Sequence, residues 1–321
     1  MAIDRYPVVE VPDSAADQIE QLGTRPKFWF HRDGQDWLFK EVRPGTGEDW
    51  AEKVASEVCS LLQLPCAEYH LAVWKGRRGV ITPNFVPEDA RLVHGNEVLG
   101  RVLPGYPGGQ RYKVREHKLD TVVAVLRTFT ERLRLRPPIG APGTPPTDSA
   151  LGVFLGYLML DSLIANQDRH HENWALIVAP DGSVYLAPTY DHASSLGRNE
   201  SDGNRHDRLT TSDRQRGMEA YVRRARSALY ESSGATRPLG TLDAFRRLAF
   251  RLPADAKSWL DRLHSLEDRR VRVLLERIPD DKISGIGIDF AMEMIKLNRE
   301  RLLAVGLETK DAAGLHRLAG S

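Results

Sequence analysis

Asn166-Gln167-Asp168-Arg169-His170-His171-Glu172-Asn173 is followed by Trp174-Ala175-Leu176-Ile177-Val178, then Pro180-Asp181-Gly182-Ser183, then Val184-Tyr185-Leu186-Ala187 and Tyr190-Asp191-His192. Two apolar runs around an Asp-Gly turn are a strong hairpin signal. Positions 173 and 191 have their midpoint at 182, inside the turn, so a regular hairpin predicts that Asn173 and Asp191 meet at its open end. Two oxygen ligands there suit magnesium, which takes few protein oxygens and fills its shell with waters and substrate phosphates. Asp168, on the adjoining loop and not needed for the metal, is then free to orient or deprotonate an attacking hydroxyl. A base and a metal-binding Asn on one loop, with a second Asp across a hairpin, match how kinases hold a hydroxyl nucleophile and divalent metal beside ATP.

One Asp-x-x-x-x-Asn carries no information, because surface loops are rich in both residues. Asn166, Asp168, His170 and Asn173 together are far stricter. His170 is placed in the catalytic set as the residue that braces the loop, and Arg169 reads equally as structural anchor or catalytic group. Zinc held by His170 and His171 with Asp168 or His192 is the competing reading, though no His-Glu-x-x-His spacing occurs. The preceding segment, with Asp148 or Ser149 as cap and apolar side chains nearly all round from Leu151 to Ile164, predicts a buried helix that delivers the chain into the loop.

Upstream, short apolar runs (27–31, 36–42, 69–74 and 78–85) alternate with the turn signals Asp33-Gly34 and Lys75-Gly76, which predicts an antiparallel sheet. One helix over Glu48–Leu62, with Val54, Val58, Leu61 and Leu62 on one face, stops before Pro65. Lys40 ends the strand 36–40 and is the candidate cation for ATP phosphates. Glu57 is the favoured carboxylate partner on the helix and Glu52 the competitor. Gly23-Thr24-Arg25-Pro26-Lys27 could cover the phosphates with backbone amides and Lys27. These features define an expected sheet lobe over 1–100 and a mainly helical lobe over 101–321. The stretch 100–109 reads as loop or hinge, 116–134 as helix, and 136–147, with five prolines, as an exposed loop. Further helices are expected over 213–230, 242–250, 254–266, 267–278 and 289–305.

The chain of 321 residues is long enough for two lobes. Its 45 basic and 44 acidic side chains leave almost no net field, so nucleic acid is not an expected partner. Cys59 and Cys66 form neither a metal pattern nor a disulfide framework, which points to a reducing cytoplasm. No apolar stretch reaches the length of a membrane span, and Met1-Ala2-Ile3-Asp4 lacks the features of a signal peptide, so neither insertion nor export is expected.

Gly23-x-x-Pro26-Lys27, Phe39-Lys40, Glu57 in a helix ending at Leu64-Pro65, Asn166-x-Asp168-x-His170-x-x-Asn173 and Tyr190-Asp191 resemble the HipA-like serine/threonine kinases. The related phosphatidylinositol 3- and 4-kinase superfamily is similar in its Asp-Arg-His-x-x-Asn loop. The resemblance, over about residues 20 to 300, implies an α+β, bilobal protein-kinase-like fold that uses ATP and Mg2+. It implies Asp168 as base, Asn173 and Asp191 as metal ligands, and Lys40 on the phosphates. HipA toxins carry a small extra N-terminal subdomain where this chain starts its sheet almost at once, so an antitoxin partner is doubtful and a stand-alone kinase is expected. The expected reaction is γ-phosphoryl transfer to Ser or Thr hydroxyls of a protein, with autophosphorylation at loop hydroxyls such as Ser194 or Ser195. A lipid or small-molecule acceptor is the first alternative, and a non-catalytic nucleotide-sensing module the second.

Overall fold

Strands β1 (Val8–Val11), β2 (Lys27–Arg32), β3 (Gln35–Glu41), β4 (His70–Trp74) and β5 (Arg77–Pro83) form a sheet in the order β1-β4-β5-β3-β2. The computed structural model describes residues 4–16, 27–139 and 143–306. Only β1, which the apolar pattern did not single out, runs parallel to its neighbour. Two hairpins turn at Asp33-Gly34 and Lys75-Gly76, all four residues having positive φ. That conformation matches the right-handed twist of paired strands. Phe28, Phe39, Trp74 and Ile81 pack on one face of the sheet. Alternation along β3 therefore turns Leu38 and Lys40 to the other face, into the cleft.

Helix α1 (Glu48–Leu62) forms over the predicted residues and ends where Gln63 takes φ 51° before Pro65. Its apolar row Ala51, Val54, Ala55, Val58 and Leu62 is fully buried. A second row, Glu48, Glu52 and Ser56, is also buried despite being polar, and it faces the segment after Asp191.

A second sheet, β6 (Arg91–His94), β7 (Ala175–Val178) and β8 (Val184–Leu186), carries the predicted hairpin. Its register pairs Leu176 with Leu186, so the turn centres on 181 and not on 182. Ala179 N–H donates to the Ser183 carbonyl and Gly182 takes φ 81°. A three-residue loop closed by a left-handed glycine explains the one-residue shift. Continued to the open end, this register sets Asn173 across from Thr189, and Asp191 reaches the same cleft through its own left-handed turn at φ 59°. Strand β6 and helix α2 (Gly95–Val102) were missed: α2 occupies part of the stretch expected to be loop. Both lie within or at the edge of the sequence range assigned to the first lobe, yet β6 pairs with β7.

The remaining lobe is helical: α3 (Leu119–Leu133), α4 (Ala150–Leu163), α5 (Asp202–Thr210), α6 (Met218–Arg223), α7 (Thr241–Ala249), α8 (Pro253–His264), α9 (Asp268–Glu276) and α10 (Gly285–Leu303). Every residue of α4 is buried, and α3, α7, α8 and α10 surround it. Ser149 caps α4 by accepting the Gly152 N–H. Gly156 is required for packing, since a Cβ there would lie 2.6 Å from the buried Trp259 ring. The single helix expected over 213–230 is a short α6 preceded by an unforeseen α5. Asp213 accepts the Gln215 N–H in a local turn that competes with helix, and α5 offers only Leu209 to an apolar pattern. The described parts of 136–147 hold neither helix nor strand. Among the described residues no helix is long and apolar enough to cross a membrane.

Candidate active site

The loop after α4 is fixed by one buried ion pair. Asp161 accepts two parallel N–H bonds from Arg169, at 2.8 and 2.7 Å, and a third from Asn166 at 2.8 Å. Arg169, with no exposed surface, also donates to the Asn173 carbonyl at 2.7 Å. Burial works against its charge, but Asp161 holds the guanidinium protonated. Breaking such a satisfied pair would strand a buried charge, so the loop has little freedom. Arg169 is thereby placed as the anchor of the loop.

Asp168 stands at the top of that loop, its N–H on Asn166 Oδ1 at 3.3 Å and its carboxylate 3.4 Å from the Ser194 hydroxyl. Burial, followed by the neighbouring Asp191 charge, raises its pKa to about 6. His170 accepts the Glu172 N–H on Nδ1, and its Nε2 lies 3.8 Å from Asp168 Oδ1. Burial and then Arg111 push its pKa down to about 3, so the ring is neutral. His171 is buried and bonded through Nδ1 to the Tyr106 hydroxyl at 2.7 Å. Among the described residues no three His, Cys, Asp or Glu side chains converge on a metal position, and the zinc reading finds no support.

Asn173 donates its side-chain N–H to the Asp168 carbonyl at 2.7 Å, which fixes the amide and leaves Oδ1 as the atom suited to a cation. Asp191 is bonded to Lys40 and receives a second tether where its N–H meets the Tyr69 hydroxyl at 3.2 Å. Burial would raise the Asp191 pKa, but Lys40 holds it well below the usual carboxylate range. Lys40, for which burial is likewise outweighed by Asp191 and Glu52, titrates above an ordinary lysine.

The helix partner of Lys40 is Glu52 and not Glu57. Glu52 Oε2 lies 3.9 Å from Lys40 Nζ, and its carboxylate accepts the His192 and Ala193 N–H groups at 2.6 and 3.0 Å. Glu57 is bound to Lys53 one turn away. Residues five apart on a helix point about 140° away from each other, so only one of the two can face the cleft.

Lys40 and Lys27 are direct cross-strand partners. Both line a cleft of about 700 Å3 whose wall includes Leu38, Val80 and Phe85 and whose floor includes Asn173 and Asp191. Gly23 lies outside the described residues. Arg111, which the sequence reading missed, also lines this cleft, 3.4 Å from Glu172 Oε2 and from His170 Nε2. On the other side of the catalytic loop a cavity of about 550 Å3 is lined by Asp168 and by residues of the 194–200 segment. The two spaces share no lining residue, and Asp168 belongs to the second while Asn173 and Asp191 belong to the first.

The donors fit a hard divalent cation. Asn173 Oδ1 and the Asp191 carboxylate offer hard oxygen donors, and burial together with the Asp191 charge raises Asp168. Two protein oxygens leave a shell that substrate phosphates and water complete.

The family model described as the HipA-like C-terminal domain matches residues 20–265. Among solved structures the chain is similar to the Helicobacter pylori proinflammatory kinase CtkA, at 16% identity and TM-score 0.66, over 93% of this chain and 97% of that one. It is also similar to a chain of the Shewanella oneidensis MR-1 toxin–antitoxin complex of HipA, HipB and operator DNA. There the identity is 10% and the TM-score 0.54, over 88% of this chain and 64% of that one. No curated protein matches the chain. At these identities the structures establish a bilobal kinase-like fold, and the family model, which spans most of the sequence, establishes that this chain belongs to the HipA-like C-terminal domain family.

Proposed function

We propose that this chain is an ATP-dependent kinase that transfers the γ-phosphoryl group to a Ser or Thr hydroxyl of a protein, itself included, in the cytoplasm. One observation carries the reading: Lys40, Asn173 and Asp191 line one cleft, and Asp168 lines the neighbouring space on the same clamped loop. ATP enters the first space with its phosphates toward Lys40 and Lys27, and the acceptor hydroxyl enters the second. Asp168 orients that hydroxyl and takes its proton as the hydroxyl oxygen bonds to the γ-phosphorus and the bond to the β,γ-bridging oxygen breaks, releasing ADP. Asn173 and Asp191 would hold a Mg2+ ion, which would supply neutralising charge to the phosphates. Catalysis is otherwise positioning, which the buried Asp161–Arg169 pair and the Glu52 bonds to the 192–193 backbone provide.

Ser195 is buried, so the exposed Thr144 and Ser212 and the half-buried Ser194 are better placed for autophosphorylation. The test is incubation of purified protein with labelled ATP and Mg2+, alone and with protein, inositol-lipid and aminoglycoside acceptors, followed by mapping of the label. Label on Ser or Thr that disappears in Asp168→Ala and Asp191→Ala is the expected result. Wild-type-like transfer by either variant would sink the assignment.

A further inference from the structure

The cavity that contains Asp168 is far more basic than the molecule as a whole. Arg43, Arg198, Arg208 and Arg224 line it against only Asp168 and Glu200. Asp168 faces the acceptor, and Glu200 is taken by Arg208 at 3.4 Å. Arg43 and Arg198 both turn to Glu48. Arg224 donates to the Gln215 carbonyl at 2.9 Å and has no carboxylate partner among the described residues. Buried Ser195 lines the same space, and its hydroxyl has no hydrogen-bond partner among the described residues. A buried hydroxyl left unpaired is costly, which marks a position that a ligand group would satisfy. The basic character continues outward, for residues 201–230 hold seven arginines and four acids in a chain whose charges balance overall at 45 to 44.

We propose that this cavity selects a Ser or Thr flanked by acidic residues, whose carboxylates seat on Arg224 while Ser195 bonds the incoming segment. The inference rests on the phosphotransfer reading above and names the class of its acceptor. Arginine forks match carboxylates with two parallel bonds, so acidic flanks gain both affinity and register beside Asp168. Repulsion from the same arginines disfavours basic flanks.

The test uses the full chain with Mg2+ and labled ATP on three peptide sets that share a central Ser and carry Asp/Glu, Ala or Lys flanks. Acidic peptides should exceed the Ala set in kcat/KM by about tenfold, the worth of one charge-assisted hydrogen bond. Arg224→Glu should lose that advantage and gain on the Lys set, an inversion that only a folded enzyme can show. The wild-type ranking decides by itself should the variant fail to fold. Equal use of the three sets, or preference for Lys, overturns the proposal while leaving phosphotransfer to protein intact. Label on lipid or small molecules and on no peptide overturns both.

Discussion

Glu52 and Glu57 occupy one helix, and their replacement by Gln separates the two candidate partners of Lys40. Glu52 is fully buried and accepts two backbone N–H bonds immediately after Asp191. Gln keeps the volume and one acceptor oxygen but sets an amide N–H against one of the backbone donors. One lost charge-assisted bond costs about 1.5–3 kcal/mol, and the stranded N–H adds about 1–3 kcal/mol. Relief from burying a carboxylate offsets part of this, leaving a net loss of about 2–3 kcal/mol. At about 2–4 °C per kcal/mol, Tm falls by about 4–12 °C. The same change releases the backbone that sets Asp191, and a shift of about 1 Å there lowers kcat/KM for Mg-ATP by about 100-fold. Glu57→Gln weakens the i,i+4 pair with Lys53, which is itself buried, so it too lowers Tm, but it leaves the 191–193 backbone untouched and turnover stays close to wild type. Thermal melts beside steady-state ATP kinetics on both variants make the comparison. A Glu57→Gln protein as impaired as Glu52→Gln, or a Glu52→Gln protein of wild-type efficiency, refutes the reasoning.

Asp168→Asn should abolish phosphotransfer yet raise Tm at neutral pH, because it removes a carboxylate that burial and Asp191 disfavour. With the folded pKa raised above the unfolded value of about 3.9, ionisation destabilises the native state above pH 6, and the gain in Tm vanishes below pH 4; melts across pH 4–8 check it. For the same reason turnover under acceptor-limited conditions should fall as pH drops through about 6, where Asp168 takes up its proton, and a flat pH profile there would remove it as base. Lys40→Ala strands the half-buried Asp191 and should lower kcat/KM for ATP by about 100-fold; unchanged ATP efficiency removes Lys40 from the site. His117 donates to the Ala228 carbonyl, accepts the Trp174 indole N–H, and is pushed by burial to about 3. Its contribution to stability is complete above pH 6.5 and is lost as pH falls toward 3, by up to about 1.4 kcal/mol per unit, a slope that denaturant titrations should find reduced in His117→Gln.

The parts of the site that lie close together in sequence were the legible ones. Asp168, Asn173 and Asp191 are tied by one loop and one hairpin, so spacing alone carried most of their geometry, with an error of one register position introduced by the left-handed Gly182. Lys40 was legible because strand alternation assigns its face. The choice between Glu52 and Glu57 was not, because both follow the helix pattern and only the docking of α1 on the 191–193 segment decides which one is turned inward. Arg111 was out of reach for a different reason: it sits on an irregular segment with no period, and its neighbours Glu172 and His170 are about sixty residues away. Helix α5 left no apolar signature, since it is held by the Ser201 cap and by Arg205 buried beneath it.

Two carboxylates in this site are driven to opposite ends of their range by different neighbours. Asp191 has Lys40 against it and stays ionised, as a residue that meets a cation must. Asp168 lies on the other side of the loop, with burial and the Asp191 charge both favouring its proton. Pairs of titratable groups whose surroundings separate their pKa values mark a division of labour between charge holding and proton transfer. Here the division follows the two cavities: the ionised carboxylate belongs to the space that suits phosphates, and the one poised near neutrality to the basic space proposed for the acceptor. Lys40 sharpens this asymmetry, because its ammonium bonds Asp191 directly and acts on Asp168 only from a distance. Neutralising Lys40 should therefore raise both carboxyls, Asp191 the more because it loses a bonded partner and Asp168 the less because the ammonium lowers it only at a distance. Carboxyl titration followed by NMR in Lys40→Met would show the two pKa values drawing together. An Asp191 pKa that does not rise, or rises less than that of Asp168, would remove Lys40 as the source of the asymmetry.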